Sequence, residues 1–198
     1  MDTAYGKRTE TAHGKRRAHE VTHEGNDVKG APAMTTEGPA AADFREAMAR
    51  LPAAVSVLTT DGPAGRCGLT VSAVCSVTDS PPTLLVCINR RSAQHEVFRT
   101  NGRLCLNVLD GGHEELARHF SGATGTTMAE RFAWDLWEAA EPVPVLRDAV
   151  VAAVGTIREV TPMGSHSVLF MGIERLRIRQ DGTGLAWFGR RFHRLRAA

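Results

Sequence analysis

Short hydroxyl side chains repeat along one stretch of the chain, and their type and spacing are the first to suggest chemistry. Over residues 69–77 the odd positions are apolar, whereas the even positions are hydroxyls apart from Val74. This alternation predicts a strand with one apolar face and one face of small hydrogen-bonding groups. A second strand is predicted over residues 83–88, after a turn at residues 79–82 that two prolines favour. Two such strands form a wall suited to a flat, polar, anionic ligand, and they contain no strong base for hydrolysis.

The histidines are the other candidates for chemistry, and none of them predicts a metal site. His113 and His119 resemble the pair of a zinc-protease helix, but their spacing puts them on opposite sides of a helix. His19 and His23 have a spacing that could bind a metal on a helix, although solvated histidines in a disordered arm are the preferred interpretation. His166, in a Gly-Ser-His turn between two strands, could simply satisfy backbone groups.

Composition limits the classes of function. The 198 residues carry a net charge of +2, which gives no reason to expect nucleic acid or an anionic membrane as a partner. No apolar run approaches the ~20 residues of a membrane-spanning helix. The four cysteines form no CxxC pair, and we expect reduced, mostly buried thiols in a cytoplasmic protein.

The chain divides into a disordered tail at residues 1–42 and a folded domain at residues 43–198. The tail holds few large apolar residues, so it cannot offset the entropy of ordering. Asp43 and Glu46 predict a capping box at the start of a short amphipathic helix that ends at Pro52. Ser92 is predicted to cap a helix over residues 93–99, and a further helix is expected over residues 113–120.

Further strands are predicted over residues 55–60, 104–109, 150–160, 167–178 and 185–188. Short strands with few helices indicate a mainly β fold, a closed or split antiparallel barrel. The arginines that alternate along residues 174–180 could attract phosphate, but a solvated strand face is the preferred interpretation. Phe132, Trp134 and Trp137 are expected to be core or interface anchors, with ligand stacking as the alternative. Neither common phosphate-binding glycine motif is present.

Several segments together resemble the short-chain flavin reductases. They are FREAMARLPAAVSVLTT, GLTVSAVCSVTDSPPTLLVCINRRSA, GRLCLNVL, ELARHFSG, ERF, GSH and FGRRFHRL, in the order typical of that family. The resemblance covers residues 43–196 and is greatest to the reductase components of two-component 4-hydroxyphenylacetate 3-monooxygenases.

The resemblance implies a Greek-key split β-barrel of the FMN-binding type that forms a homodimer. It implies hydride transfer from NADH, with NADPH as the alternative, to FAD or FMN, and release of reduced flavin to a separate flavin-dependent, aromatic-hydroxylating monooxygenase. Such hydride transfer needs little acid–base help, because the cofactors carry the chemistry. The absence of an acid–base pair among the hydroxyls agrees with that expectation.

The resemblance also implies particular ligand contacts. The residues expected along the flavin ring are Pro52, Ala53, Ala54 and Val55 with Thr70, Val71, Ser72 and Ala73. Those expected at the ring edge, ribityl chain and phosphate are Ser72 and Ser76 with Cys87, Ile88, Asn89 and Ser92. Phe120 would approach the flavin with its neighbours Ser121 and Gly122, His166 would lie near the nicotinamide, and Arg191, Phe192 and His193 would flank the same cleft.

One position departs from the family pattern, since Ser165 stands where many relatives carry an aspartate before the histidine. Orientation of His166 by a carboxylate is therefore not expected here. Two other functions remain open at this point. One is a flavin- or haem-binding carrier or sensor without reductase activity, and the other is an enzyme that keeps its flavin and oxidises its own substrate.

Overall fold

The structure, a computed structural model, describes residues 38–138 and 141–196. Its elements in chain order are α1 (Ala41–Ala49), β1 (Ala53–Ala54), β2 (Ser56–Thr60), β3 (Cys67–Val71), β4 (Val74–Asp79), β5 (Pro82–Asn89), α2 (His95–Asn101), β6 (Arg103–Val108), α3 (Glu114–Phe120), α4 (Met128–Ala133), β7 (Val151–Met163), β8 (His166–Ile178), β9 (Gly184–Phe188) and β10 (Arg191–Leu195). The predictions for His19, His23 and the tail as far as residue 37 fall outside the described residues.

Hydrogen bonding joins the strands into two antiparallel sheets. Seven strands pair in the order β3-β2-β6-β7-β8-β5-β4, while β1, β9 and β10 form a three-stranded sheet with β9 in the middle. The longest pairing is the β7–β8 hairpin, which ends at a tight turn where Met163 pairs with His166. The mainly β, split antiparallel barrel with a few short helices is confirmed.

The strands β3 and β4 are consecutive in the chain but form opposite edges of the seven-stranded sheet. Only Ser72 and Ala73 connect them, and so short an extended segment spans about 11 Å at most. The sheet must therefore curl until its edges are close, leaving a split at these two residues. The backbone N–H of Cys87 donates to the carbonyl of Ala73 at 3.0 Å and ties this split to β5.

The prediction of one continuous strand over residues 69–77 is wrong for this reason. The alternation of apolar residues continues past the break, so the sequence pattern does not reveal it. Only β3 uses its apolar face in the core, where Val71 is buried. On the edge strand β4, Cys75 is exposed and Val77 keeps 47% of its surface.

Two groups of buried apolar residues fill the interior. One surrounds Phe120 and Trp137, and the other surrounds Leu58 and Phe98. Phe120 packs so closely on β3 that a Cβ added to Gly68 would lie 2.5 Å from its ring. Helix α3 is thereby held directly behind β3. Burial of Trp137 and the packing of Phe132 and Trp134 on the first group confirm that these aromatics are core anchors.

A buried polar group fixes the irregular segment before β7. The Asn107 side chain donates to the Val57 carbonyl and to Thr59 Oγ1, both at 3.1 Å, and accepts from the Leu146 N–H at 2.8 Å. Thr59 Oγ1 in turn donates to the Pro144 carbonyl at 2.5 Å. Sheet and segment are thus joined by satisfied hydrogen bonds where water cannot reach.

Two arginines of β8 and one just after it hold the same segment from outside. Arg175 pairs with Glu141, and Arg177 donates to Glu138 Oε1 at 2.8 Å. Arg179 donates to the Asp148 carbonyl at 2.7 Å and also pairs with Asp110, which follows β6. The arginine face is therefore occupied by ion pairs within the chain. This favours the structural interpretation over the capture of a phosphate-rich partner.

Two of the predicted helix starts are wrong. Helix α1 begins at Ala41, inside the predicted tail, and its N-cap Ala40 makes no side-chain bond, so Asp43 and Glu46 form no capping box. A capping box is present instead at the start of α4. There the Thr127 side chain accepts a hydrogen bond from the Glu130 N–H, and the Glu130 side chain accepts one from the Thr127 N–H. Helix α2 begins at His95, and its N-cap is Gln94 rather than Ser92.

All four cysteines are free, as predicted. Cys67 and Cys105 are buried, Cys87 is half-buried and Cys75 is exposed. Burial raises the pKa of the Cys67 and Cys105 thiols to about 12 and also raises that of Cys87, so none of these three is a ready nucleophile. None of the described helices is long and apolar enough to cross a membrane.

Candidate active site

A cleft of about 260 Å³ opens at the split of the barrel. Its walls come from the residue before β2, the end of β3, helix α3 with the turn that follows, and strands β9 and β10. The lining residues are Val55, Thr70, Val71, Ser72, Arg118, Ser121, Ala123, Trp187 and Phe192. Six of these, Val55, Thr70, Val71, Ser72, Ser121 and Phe192, were expected from the sequence to contact or approach a flavin.

One wall of the cleft is lined by hydroxyl groups. Thr70 Oγ1 donates to the Ala117 carbonyl at 2.7 Å, and Ser121 Oγ donates to the Arg118 carbonyl at 2.8 Å. Their protons are thus engaged with α3, and their lone pairs can accept from a ligand. Ser72 is exposed at the split and lines the cleft, and a serine hydroxyl can donate as well as accept. The wall therefore offers both donors and acceptors to a polar ring edge.

The opposite wall is aromatic. The Trp187 and Phe192 rings meet edge to face with their centres 4.8 Å apart. Their strands pair directly, since Phe192 lies opposite Trp187, which in turn lies opposite Ala53 of β1. Such rings provide a rigid apolar surface against which a flat ligand can pack. Ala53 and Ala54 lie beside this surface, because β1 pairs with β9, and neither they nor Pro52 line the cleft.

A cation stands at the mouth of the cleft. The guanidinium of Arg118 lies over the Phe192 ring and donates to Glu114 Oε1 at 2.7 Å, one helical turn earlier. Its planar group is thus held by a ring on one side and a carboxylate on the other. Arg118 and Trp187 were missed by sequence reasoning. Arg118 sits within the ELARHFSG motif and Trp187 alternates along β9, so both signals were present but unassigned.

Three of the expected contact residues are placed differently by the structure. Phe120 is only 1% exposed and packs on β3, so its ring supports the cleft wall and is not part of the lining. Arg191 and His193 lie on the face of β10 opposite Phe192, because side chains alternate along a strand. His193 Nε2 is 3.1 Å from the Phe188 carbonyl. Arg191 and His193 are not among the residues that line this cleft, and their expected place beside the flavin stays a prediction.

A second group of expected residues gathers where β5 ends and β8 begins. Asn89 pairs with His166, and Ile88 pairs with Ser167. Ile88 is buried, so only its backbone could face a ligand. Asn89 accepts from the Arg91 N–H, and Ser92 Oγ donates to the side chain of Gln94. Cys87 is half-buried on the same strand. Ser76 is exposed on β4, and it lines neither the cleft at the split nor the polar cleft lined by Arg90 and Arg91.

Beside this group lies a polar cleft of about 420 Å³. Its lining residues are Arg90, Arg91, His95, Glu96, Gly164 and Ser165. The backbone N–H of Arg90 donates to the Ser165 carbonyl at 2.9 Å, and its guanidinium donates to the Gly164 carbonyl at 3.3 Å. Arg90 therefore holds the turn that carries His166. Arg90 and Arg91 belong to the quoted CINRRS motif but were not assigned a role from the sequence.

His166 is exposed, and its Nδ1 lies 2.9 Å from Ser165 Oγ. The serine hydroxyl is thus placed to orient the ring, at the position where many relatives were said to carry an aspartate. Within residues 38–138 and 141–196, Nε2 of His166 makes no hydrogen bond to protein. That nitrogen is available to a ligand.

The two histidines of α3 and its N-cap serve structural roles. His113 Nδ1 accepts from the Asp110 N–H at 3.1 Å, and burial lowers the pKa of His113. His119 Nδ1 lies 2.8 Å from Thr124 Oγ1. Over the described part of the chain, no three His, Cys, Asp or Glu side chains are grouped as a metal site would require.

The protein is a split antiparallel barrel whose cleft has one wall of hydroxyl groups and one wall of aromatic rings. Such a cleft fits a flat ring that is polar along its edge and apolar on its faces. Residues 48–196 match the model of the flavin reductase like domain family. The chain belongs to this family.

Known relatives agree with this assignment. The 4-hydroxyphenylacetate 3-monooxygenase reductase component of Pseudomonas aeruginosa is 56% identical over 153 residues, 77% of this chain and 90% of that protein. The FMN reductase (NADH) RutF of Cronobacter sakazakii is 50% identical over 153 residues, 77% of this chain and 91% of that protein. The structure of NADH:FAD oxidoreductase SgcE6 of Streptomyces globisporus C-1027 has a TM-score of 0.75 with 24% identity, over 84% of this chain and 99% of that one, which supports the fold.

Proposed function

We propose that the chain is a flavin reductase that oxidises NADH, transfers a hydride to FAD or FMN and releases the reduced flavin. The observation that carries this proposal is the cleft at the split, whose walls combine hydroxyls, two aromatic rings and one arginine without an acid–base pair. The high identity to proteins named as reductase components and as NADH-dependent FMN reductases supports the same activity.

The residues of the cleft fit a flavin. Trp187 and Phe192 would pack against the ring system, while Thr70, Ser72 and Ser121 would hydrogen-bond its polar edge. Arg118 would balance the negative charge that the ring gains on reduction, and such placed charges stabilise a developing anion. The flavin and nicotinamide supply the redox chemistry themselves. The chain's contribution is to hold two rings in contact and keep their orientation.

The nicotinamide would be held from the turn at Gly164. His166 presents a free Nε2 there, and Ser165 fixes the ring through Nδ1. The arginines of the neighbouring polar cleft, Arg90 and Arg91, provide positive charge for the phosphates of a nucleotide. We propose NADH rather than NADPH as the donor.

A separate flavin-dependent monooxygenase would consume the reduced flavin. Its substrate class would be a phenol, following the name of the Pseudomonas aeruginosa relative. The cleft is open and holds its charges at the surface, which suits a ligand that must leave after reduction. We place the protein in the cytoplasm, where reduced thiols such as its four cysteines are maintained.

We also infer a homodimer, because large apolar side chains are exposed in two places. On α1 and just after it, Phe44, Met48 and Leu51 keep 54%, 42% and 56% of their surfaces, and on β8 Leu176 and Ile178 keep 59% and 58%. Apolar patches of this kind commonly mark an interface. Light scattering should give about twice the 21.4 kDa of one chain, and Leu176→Lys together with Ile178→Lys should lower the mass.

The activity is tested by following NADH oxidation in air with FAD, FMN or no added flavin, and again with NADPH. Turnover that requires and saturates with added flavin supports a reductase with a diffusible product. Turnover without added flavin, or a protein that stays yellow through dilution, would indicate the enzyme that keeps its flavin. No turnover with either flavin or either nicotinamide would overturn the reductase and leave a carrier or sensor.

A matched pair of tryptophan variants tests the site. Trp187→Leu should raise the KM for flavin about tenfold, because stacking on the aromatic wall is lost. Trp134→Leu removes a half-buried tryptophan that packs on His119 outside the cleft, and it should leave that KM unchanged. Equal effects of the two variants would place the flavin elsewhere.

A further inference from the structure

Two hydrogen bonds of the buried His95 side chain connect helix α2 to the second residue of strand β8, Ser167. His95 Nε2 lies 2.9 Å from Ser167 Oγ, and His95 Nδ1 lies 2.9 Å from Glu96 Oε1. His95 is only 4% exposed and Ser167 only 3%. Buried polar contacts of this kind are satisfied networks that fix a local geometry.

The partners determine where the protons lie. The Glu96 carboxylate, which also accepts from Arg99 at 2.8 Å, can only accept hydrogen bonds when ionised. The bond therefore requires a proton on His95 Nδ1. In the neutral ring Nε2 is then an acceptor, and the Ser167 hydroxyl donates to it.

The arrangement of serine, histidine and glutamate superficially resembles a hydrolytic triad, but its geometry excludes that use. Ser167 is buried, and it does not line the polar cleft to which His95 contributes. No substrate can reach its hydroxyl. The contact therefore acts on the position of β8.

That position matters because Ser167 is adjacent to His166. Ser167 pairs with Ile88 and His166 pairs with Asn89, at the last pairs of the β5–β8 ladder. Beyond them the turn is held by Arg90 and by the pairing of Met163 with His166 in the β7–β8 hairpin. The bond from His95 adds the one buried side-chain hydrogen bond that the described part of the chain makes to this strand end, from which His166 projects.

We propose that His95 is a positioning residue for the nicotinamide, acting through Ser167 to fix the turn that presents His166. The inference rests on the proposed function of His166. It assigns to α2, which does not line the flavin cleft at the split, a role in binding the nicotinamide donor.

Isosteric variants separate the two bonds of His95. The amide of glutamine reaches the place of Nε2, so His95→Gln keeps the bond to Ser167 and loses that to Glu96. Asparagine reaches only the place of Nδ1, so His95→Asn does the reverse. With flavin saturating, His95→Asn and Ser167→Ala should lower kcat/KM for NADH about tenfold, as expected for one buried hydrogen bond, while the Kd for oxidised flavin changes less than twofold. His95→Gln should remain within about twofold of the wild type on both measures.

Phe98→Leu is the matched control, because Phe98 is fully buried on the same helix and faces the core. It should lower the melting temperature without changing kcat/KM for NADH. A parallel fall in kcat/KM for Phe98→Leu would show that loss of stability alone explains the effect. Equal behaviour of His95→Gln and His95→Asn would also overturn the proposal.

Amide hydrogen exchange of the peptide around residues 163–169 provides a readout that does not depend on catalysis. Exchange should be faster in His95→Asn and Ser167→Ala than in the wild type and His95→Gln. Unchanged exchange would overturn the positioning role. Faster exchange with unchanged kcat/KM would remove its link to the nicotinamide. If the wild type oxidised no NADH, the proposed function would fail. The role of His95 in fixing the turn would then be decided by the amide exchange rates of residues 163–169 alone.

Discussion

The guanidinium carbon of Arg118 lies 5.1 Å from the centre of the Phe192 ring. Helix α3 and strand β10, far apart in the chain, therefore meet over one cleft. The contact gives the mouth of the cleft both an aromatic surface and a positive charge, and that combination suits a ring that becomes negative on reduction.

Arg118→Met keeps the length of the side chain and removes its charge. We expect affinity for oxidised flavin to fall about threefold and affinity for reduced flavin about tenfold, because the cation interacts most with the charged form. Anaerobic and aerobic binding titrations measure the two constants. Arg50→Met is the matched control, since Arg50 also pairs with a glutamate one turn earlier. A larger loss for oxidised than for reduced flavin would contradict this role.

Ser165→Ala removes the hydroxyl that lies beside Nδ1 of His166. We expect the KM for NADH to rise about fivefold, because the imidazole loses its orientation, and the Kd for flavin to remain unchanged. Ser165→Asp should restore a partner for Nδ1 and recover most of the KM. Thr161→Val serves as the control, as Thr161 bonds to Glu159 at 2.9 Å away from the turn. The idea fails if alanine and aspartate behave alike at position 165.

Asn107→Leu should lower the free energy of unfolding by about 2–4 kcal/mol. Asn107 is completely buried, and its loss strands the Val57 carbonyl and the Leu146 N–H without partners. Urea unfolding followed by tryptophan fluorescence measures the change. Asn101→Ala, which removes bonds of an exposed loop, should cost less than about 1 kcal/mol. Comparable losses at the two positions would contradict the importance of burial.

Acid should destabilise the protein partly through Asp110. Burial alone would raise the pKa of Asp110. Its pKa is nevertheless lowered from 3.8 to about 2, because the carboxylate accepts hydrogen bonds from Gly112 and Thr183 and lies beside the charge of Arg179. The native state therefore binds this proton less readily than the unfolded state. The resulting stabilisation is present above pH 3.8 and is lost as the pH falls towards about 2.

The variant Asp110→Asn isolates this contribution. It should be less stable than the wild type at neutral pH and lose less stability on acidification, so that the two unfolding curves converge near pH 2. Thermal unfolding across pH measures both slopes. A wild type and variant that differ by the same amount at every pH would show that the carboxylate's charge is not responsible.

Sequence patterns predicted those parts of the fold in which each face of a strand is uniformly buried or uniformly exposed along its length. The hydroxyl and apolar alternation near Thr70, the apolar run of β5 and the glycine-rich turns all reflect local rules. The break after Val71 was missed because it depends on which strands pair, and pairing with β2 and then β5 leaves no mark on the alternation. Strand β10 was missed because its arginines and histidine lie on an exposed face.

The candidate site shows the same division. Thr70, Val71 and Ser72 were found because a contiguous motif carried them. Trp187 was missed because only the antiparallel register with Phe192 and Ala53 brings it to the cleft. Phe120 was placed in contact with the ligand although its burial puts it behind the wall, a distinction that depends on packing against Gly68.

The two-residue connection at Ser72 and Ala73 places the cleft at a seam of the barrel, that is, at the place where the two edges of the sheet come close without pairing. A ligand seated there would contact the end of the edge strand β3, helix α3 and strands β9 and β10, so its binding free energy opposes separation of β3 from those elements. Affinity and local opening of β3 then become linked quantities: each tenfold gain in ligand concentration above Kd stabilises the closed state by about 1.4 kcal/mol. An enzyme that must release its product therefore has reason to keep this seam weakly closed.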